Sequence, residues 1–420
     1  MTAAVASVVA LFAAIALSMF SRLNVGLIAI ACAWLIGVYL AGMRPDEVLG
    51  GFPSGLFLTL TGVTLLFAVA QVNQTFEALS HRAIRLVGSN AHLMPLMFFA
   101  LAFAFAAVGP GAVPGVALVV PLAMAVGARV HLPPMLTALM VANGANAGNL
   151  SPLSAVGIIA DSRMEAVGLG GYEWNLMLAN LLAHALVAAI AYLFFFFRLR
   201  EPASAAGPAP EPQPTLVAPF TPAQLKTLVV LLLWLIGVVG LGLNVGLSAF
   251  AAALVLMVLR AVDESDAMRN VPWGIILMVT GMATLIAILE SQGGMDLFTQ
   301  MIAAIAGPNS INGVIAFVTG IISTYSSTSG VVLPAFLPTI PGVVERLGGG
   351  DPIAIAISIT VGSHLVDVSP LSTIGALCVS AVLNPALSRR VFYQLLVWGF
   401  SMTVVGALFC QLFAGMLARL

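Results

Sequence analysis

Apolar residues run through this chain in long stretches, and a helix needs about 20 of them to cross a bilayer. Residues 3–20, 25–42, 55–72 and 175–197 predict full crossings in the first half, and 225–242, 244–260, 271–290 and 391–418 in the second. Two kinds of stretch depart from that pattern. Residues 91–128 are apolar but interrupted by Gly109-Pro110-Gly111 and Pro114, and residues 309–345 by Ser323-Thr-Tyr-Ser-Ser-Thr-Ser-Gly330. The limbs of the first are about 14–16 residues, or roughly 21–24 Å of helix, short of a hydrocarbon core of about 30 Å. Both stretches predict re-entrant hairpins. Residues 134–162 and 352–382 carry Asn143-Gly-Ala-Asn-Ala-Gly-Asn149 and Ser363-His-Leu-Val-Asp367 in mid-span. Ser-Pro-Leu-Ser follows in each, at 151–154 and at 369–372. Serine can cap a helix start and proline suits its first position, so half-helices are expected to begin at Ser151-Pro152 and Ser369-Pro370. Each stretch then reads as one helix broken inside the membrane.

The second half replays the first. Asn24-Val-Gly-Leu27 returns as Asn244-Val-Gly-Leu247, Leu60-Thr-Gly62 as Val279-Thr-Gly281, and Ser-Pro-Leu-Ser as itself, at offsets of 220, 219 and 218. Between the halves, Arg198 to Pro222 holds seven prolines and reads as an extended linker. The expected organisation is a first repeat over 1–200, a cytoplasmic Pro-rich linker over 201–222 and a second repeat over 223–420. Each half has five crossings, the broken helix counted as one, so the second copy enters from the opposite face. The charges agree. One side receives eleven of the Lys and Arg residues, the other only Arg44, Arg163, Arg346 and Arg419. The richer side is cytoplasmic by the positive-inside rule, and both termini face outward.

With 61% hydrophobic residues, 7% charged and a mean hydropathy of +1.10, the 420-residue chain lies far from a soluble domain, where roughly 25% are charged. The fold class is all-α and polytopic; a barrel would show short alternating segments instead. A net charge of −1 gives no sign of a nucleic-acid partner. Cys32, Cys378 and Cys410 have no metal-like spacing and read as packing residues. No basic segment precedes the first apolar run, so that run is expected to be a retained helix.

Broken helices in duplicate are the mark of a carrier's binding site. Half-helix starts present unpaired N–H groups and positive dipole ends, which hold an anion without a buried Arg or Lys. No span of this chain has either residue at its middle. Ser151 and Ser369 are the expected anion contacts, with Asn149 and Thr373 beside them. The hydroxyl-rich tip of the second hairpin adds Ser327 and Thr328, and the first tip adds the backbone of Gly111. Half-helix ends offer carbonyl oxygens instead. With Asn146, Gly148, Ser326, Ser363 and Asp367 they form the ligand set expected for a coupling cation, sodium or a proton, with no transition metal and no other cofactor. Asp367 is the one carboxylate deep in a span; His364, three residues earlier, shares its helix face. Lone His184 reads as a packing residue, and His81, Arg82 and Arg85 as the polar face of an interfacial segment.

Gly148-Asn-Leu-Ser-Pro-Leu-Ser154, Ser326-Ser-Thr-Ser-Gly-Val-Val-Leu-Pro334 and Val368-Ser-Pro-Leu-Ser-Thr-Ile-Gly-Ala376 resemble the malonate and dicarboxylate carrier family. That family is similar to the divalent-anion/sodium symporters within the ion-transporter superfamily. The resemblance implies inverted repeats with one re-entrant hairpin each, and a carboxylate bound between hairpin tips and broken helices. It further implies cation-coupled uptake across the cell membrane, a homodimer and an elevator-like movement. The symporters' Ser-Asn-Thr hairpin signature is absent; Gly109-Pro-Gly111 and Ser327-Thr-Ser329 stand in its place. The expected function is secondary transport of malonate or a four-carbon dicarboxylate. The alternative is a sodium/proton or other cation antiporter that exchanges its ion on Asp367. An intramembrane enzyme is not expected, since no His-Glu-x-x-His, aspartate pair or nucleophile–base pair is present.

Overall fold

The structure is a computed structural model that describes residues 2–20, 23–87, 90, 92–109, 111–198, 219–382 and 384–420. Pro110, Arg22, Arg200 and the linker up to residue 218 lie outside them. The first half runs α1 (Ala3–Phe20), α2 (Val25–Trp34, continued by a π-helical turn), α3 (Pro45–Gly50), α4 (Ser54–Val72) and α5 (Thr75–Val87). It continues through α6 (Met94–Val108), α7 (Ala112–Arg129), α8 (Pro134–Gly148), α9 (Ala155–Glu165) and α10 (Glu173–Arg198). The second half runs α11 (Pro222–Leu241), α12 (Val245–Val258), α13 (Glu264–Arg269), α14 (Trp273–Ser291), α15 (Gly294–Ile305) and α16 (Ile311–Tyr325). It closes with α17 (Leu333–Phe336), α18 (Ile340–Leu347), α19 (Pro352–Leu365), α20 (Thr373–Ser380) and α21 (Pro385–Leu417).

The chain is thus an all-helical polytopic membrane protein; among the described residues, eight helices are long and apolar enough to cross a bilayer. The order of elements repeats. α3 and α13 are both six residues long, α4 and α14 both 19, and α6 and α16 both 15. The expected breaks are present: α8 and α9 are separate pieces, and so are α19 and α20.

The repeated tetrapeptides explain how the halves join. Asn24 and Asn244 cap α2 and α12, accepting from Gly26 N (2.8 Å) and Leu247 N (3.0 Å). Asn24 also donates to the Gly274 carbonyl at 2.7 Å. Two residues on from each cap, helices of opposite halves cross at glycine: α2 on α14, and α4 on α12. A Cβ on Gly281 would stand 2.7 Å from Gly26 Cα, and one on Gly246 would stand 2.9 Å from Thr59 Cβ. Lipid tails are as apolar as leucine, so close approach through small residues is the main source of helix adhesion here. These crossings tie α1–α4 and α11–α14 into one layer. α6–α8, α10, α16 and α19–α21 pack on each other as a second. Within the span over Pro352–Ser380, residues 353–370 are all buried inside the protein, and that explains how it can carry His, Asp and Ser.

Candidate functional site

Both broken helices are built the same way. In each, Ser-Pro-Leu-Ser forms a turn in which the first serine's carbonyl accepts from the N–H of the last: Ser154 N to Ser151 O at 2.9 Å, Ser372 N to Ser369 O at 3.0 Å. Proline occupies the second position, where its fixed φ favours a turn. The expectation that Ser151 and Ser369 begin the half-helices is therefore corrected. The helices begin at Ala155 and Thr373, and the caps are Ser154 and Ser372. Ser154 Oγ accepts from Gly157 N at 2.9 Å and donates to the Asn149 carbonyl at 2.5 Å. Ser372 Oγ accepts from Gly375 N at 3.5 Å and donates to the Asp367 carbonyl. Gly157 and Gly375 are needed because a Cβ at either would strike the carbonyl of the turn's first serine.

A cavity of about 300 Å³ opens at these starts, between the two layers. Leu60 and Thr64 of α4 and Ile275 to Met278 of α14 line one side. The other side is made by Ala112 to Pro114, Asn149, Ala155 and Val156, by Tyr325 to Ser329, and by Asp367 and Leu371 to Ile374. Four main-chain N–H groups there, of Ala155, Val156, Thr373 and Ile374, have no acceptor among the described residues. Two helix starts therefore present free donors and the positive ends of their dipoles to one space. Among the described residues, Asp367 is the one charged side chain that lines the cavity. Its Oδ1 accepts from Ser323 Oγ (3.1 Å) and its Oδ2 from Thr328 Oγ1 (2.9 Å), with the two hydroxyl oxygens in contact. At the equivalent position of the first half, Asn149 Oδ1 accepts from Ala112 N, at the hairpin tip, at 2.8 Å. Each broken helix thus holds the hairpin of its own half by one side chain.

The expected anion contacts divide. Asn149, Ser327, Thr328 and Thr373 line the cavity. Ser151 and Ser369 do not: their hydroxyls accept from Leu153 N (3.3 Å) and Leu371 N (3.4 Å) inside their turns. Gly111 takes a φ of +99° and starts α7, while its neighbour Ala112 reaches the cavity wall. The expected cation ligands also divide. Ser326 and Asp367 are in the wall, and Ser326 Oγ is buried with no hydrogen-bond partner. Ser363 Oγ donates back into its own helix, to Ile359 O at 2.7 Å, while its carbonyl accepts from Thr328 Oγ1 at 3.3 Å. Gly148 lets α8 approach α6; a Cβ there would stand 2.8 Å from Ala107 N. Asn146 faces away from the cavity, its amide donating to the His364 carbonyl at 3.5 Å. His364 and Asp367 do not bond each other; His364 Nδ1 bonds the Thr360 carbonyl at 2.7 Å. Sequence reasoning expected unpaired N–H groups at the half-helix starts but placed them at Ser151-Pro152 and Ser369-Pro370, and it did not single out Thr64 or Tyr325 for the wall or Ser372 as a cap. Ser154 and Ser372, each followed three residues later by glycine, were the available signal.

The family model described as dicarboxylate carrier protein MatC N-terminus matches residues 1–149. Residues 1–149 are thus similar to the N-terminal part of a dicarboxylate carrier. The match ends at Asn149, so it takes in the first hairpin and α8 and stops short of the turn and α9. A solved structure of MtrF from Neisseria gonorrhoeae, described with a class of antimetabolite efflux pumps, is similar with a TM-score of 0.55. It covers 87% of this chain and 82% of its own at 12% identity, a likeness of fold. No curated protein matches the sequence. Together the findings support a membrane transporter.

Proposed function

We propose that this protein is a secondary active transporter for a small dicarboxylate, malonate or a four-carbon acid. One observation carries the reading: two helix starts with unpaired N–H groups, Ala155–Val156 and Thr373–Ile374, line one cavity whose described lining holds no Arg or Lys. Two separate donor pairs suit two carboxylates, and a volume at the lower end of the roughly 300–1,000 Å³ of small-molecule sites suits a small acid. Ser327, Thr328, Thr373 and Asn149 supply the neutral polar wall.

Asp367 in the same wall opposes a second negative charge. A coupling cation, sodium or a proton, offsets that repulsion and lowers the cost of bringing the anion into low dielectric. The near-identical order of elements in the two halves supports an inverted duplication. The cavity between two packed layers then supports alternating access by movement of the hairpin-bearing layer against the other. In this account the protein lies in the cell membrane with both termini outward, and a homodimer forms through the sparsely buried α11.

Uptake of labelled malonate and succinate into vesicles, with sodium and pH gradients imposed separately, tests the reading. Accumulation of one acid under one gradient is expected; transport of neither under either gradient refutes it. The cavity position of Asp367 favours one rival, a cation antiporter. Asp367→Asn separates them, since an antiporter loses all exchange while a symporter keeps carboxylate binding.

A further inference from the structure

Behind the cavity lies a second buried polar group that the transport reading leaves unused. Asn143 and Asn146 of α8, Asn180 and His184 of α10 and His364 of α19 are all fully buried where these three helices pack together. Their bonds fix the orientation of each side chain. Asn143 donates to Leu139 O at 2.9 Å, which turns its oxygen toward His184 Nδ1, also at 2.9 Å. Asn180 donates to Asn146 O at 2.6 Å. His364 Nδ1 faces the Thr360 carbonyl. Both imidazoles therefore carry their hydrogen on Nδ1, and each Nε2 is a bare lone pair.

Four atoms remain without a partner among the described residues: Asn146 Oδ1, Asn180 Oδ1, His184 Nε2 and His364 Nε2. All four are acceptors. Eight such atoms occur among the described residues, so half of them fall in this one cluster. Buried acceptors grouped without donors create a negative potential that only a species bringing positive charge or hydrogens relieves. The helices that carry the two imidazoles, α10 and α19, pack directly on each other. Asn146 precedes Asn149 by three residues, and His364 precedes Asp367 by three, so the cluster stands about one helical turn behind two residues of the cavity wall.

We propose that Asn146, Asn180, His184 and His364 form the seat of the coupling cation, separate from the Asp367 carboxylate. The chemistry is a small monovalent cation held by neutral lone pairs, either an alkali ion shared among them or a proton taken by one imidazole and donated to a neighbouring acceptor. A charge there attracts the anion through one turn of helix and couples the two sites. Other titratable groups on the helices packed around it are few at this depth. α6 and α8 hold none; Asp367 follows α19, Cys378 lies on α20 and Cys410 on α21. Arg129 and Tyr325 are the last residues of α7 and α16, and Asp161 and Glu165 lie past the break in α9.

The word coupling rests on the carrier reading, but cation binding is measured without any substrate. Thermal unfolding of the purified protein is followed in sodium chloride against choline chloride at fixed pH, and in choline chloride between pH 6 and pH 8. Wild type should gain stability from sodium or from the proton, and Asn180→Leu and His364→Leu should each lose that gain. His184→Gln keeps a donor for Asn143 and an acceptor in place of Nε2, so it should fold and keep a sodium response; it loses a proton response carried by His184, whereas a proton response that persists in it and is lost in His364→Leu is carried by His364. A wild type indifferent to both ions, or responses unchanged in all three variants, overturns the proposal. Absence of malonate binding to wild type, with the ion response intact, overturns the substrate reading and leaves this site standing.

Discussion

Removing single N–H groups at the helix starts isolates the interaction the account relies on. Proline at the first position of a helix has the right φ and deletes a donor the helix itself does not use. Ala155 and Thr373 are those positions. The residues before them already hold the extended geometry that proline demands of its neighbour: Ser154 at φ −84°, ψ 150° and Ser372 at φ −88°, ψ 163°. Ala155→Pro and Thr373→Pro should therefore fold. Each removes one hydrogen bond to a charged group, worth about 1.5–3 kcal/mol. At 1.4 kcal/mol per tenfold, malonate affinity falls roughly 10- to 150-fold per variant. The assay is equilibrium binding of labelled malonate to purified protein, with the thermal transition as a check on folding. Thr373→Ala, which keeps the N–H, separates the loss of the hydroxyl from the loss of the donor. Wild-type affinity in both proline variants, with folding intact, refutes the reasoning.

Other consequences follow from the same geometry. Gly157→Ala and Gly375→Ala force a Cβ onto the turn carbonyls; overpacking of this kind costs about 1–3 kcal/mol and should appear as a lowered thermal transition in both variants. Ser154→Ala removes a cap worth about 0.5–2 kcal/mol and leaves the Asn149 carbonyl without its hydroxyl donor, so chemical denaturation in detergent should show a loss of at least that size. Asn149→Asp keeps an acceptor for Ala112 N but adds a negative charge to the cavity, so binding assays should show malonate affinity falling while folding persists. Asp367→Asn keeps an oxygen for one of the Ser323 and Thr328 hydroxyls, presents an N–H that the other can accept, and removes the charge; malonate binding should persist with weakened dependence on the cation, read by titrating sodium or pH at fixed malonate.

Apolar run length and the repeated polar breaks made the helical architecture readable without coordinates. The short α3 and α13 escaped notice, since six-residue amphipathic helices leave no 20-residue trace. The Ser-Pro-Leu-Ser repeat marked the right place and the wrong serine. Serine followed by proline serves both as a helix start and as a turn, and the choice depends on what the first carbonyl bonds to: Ser151 and Ser369 carbonyls bond within the turn. The His184–His364 cluster was invisible for a different reason. Its members come from α8, α10 and α19, and only packing brings residues 146, 180, 184 and 364 together. The two threonine–glycine motifs were legible as a repeat, but their role in helix crossing needed the three-dimensional pairing of α2 with α14 and α4 with α12.

The central claim is that main-chain donors at Ala155–Val156 and Thr373–Ile374 hold the substrate's carboxylates. A structure of the protein determined with malonate bound tests it directly. The account predicts carboxylate oxygens at hydrogen-bond distance from N–H groups of both helix starts, one carboxylate at each. Malonate seated elsewhere, or against an arginine or lysine, contradicts it.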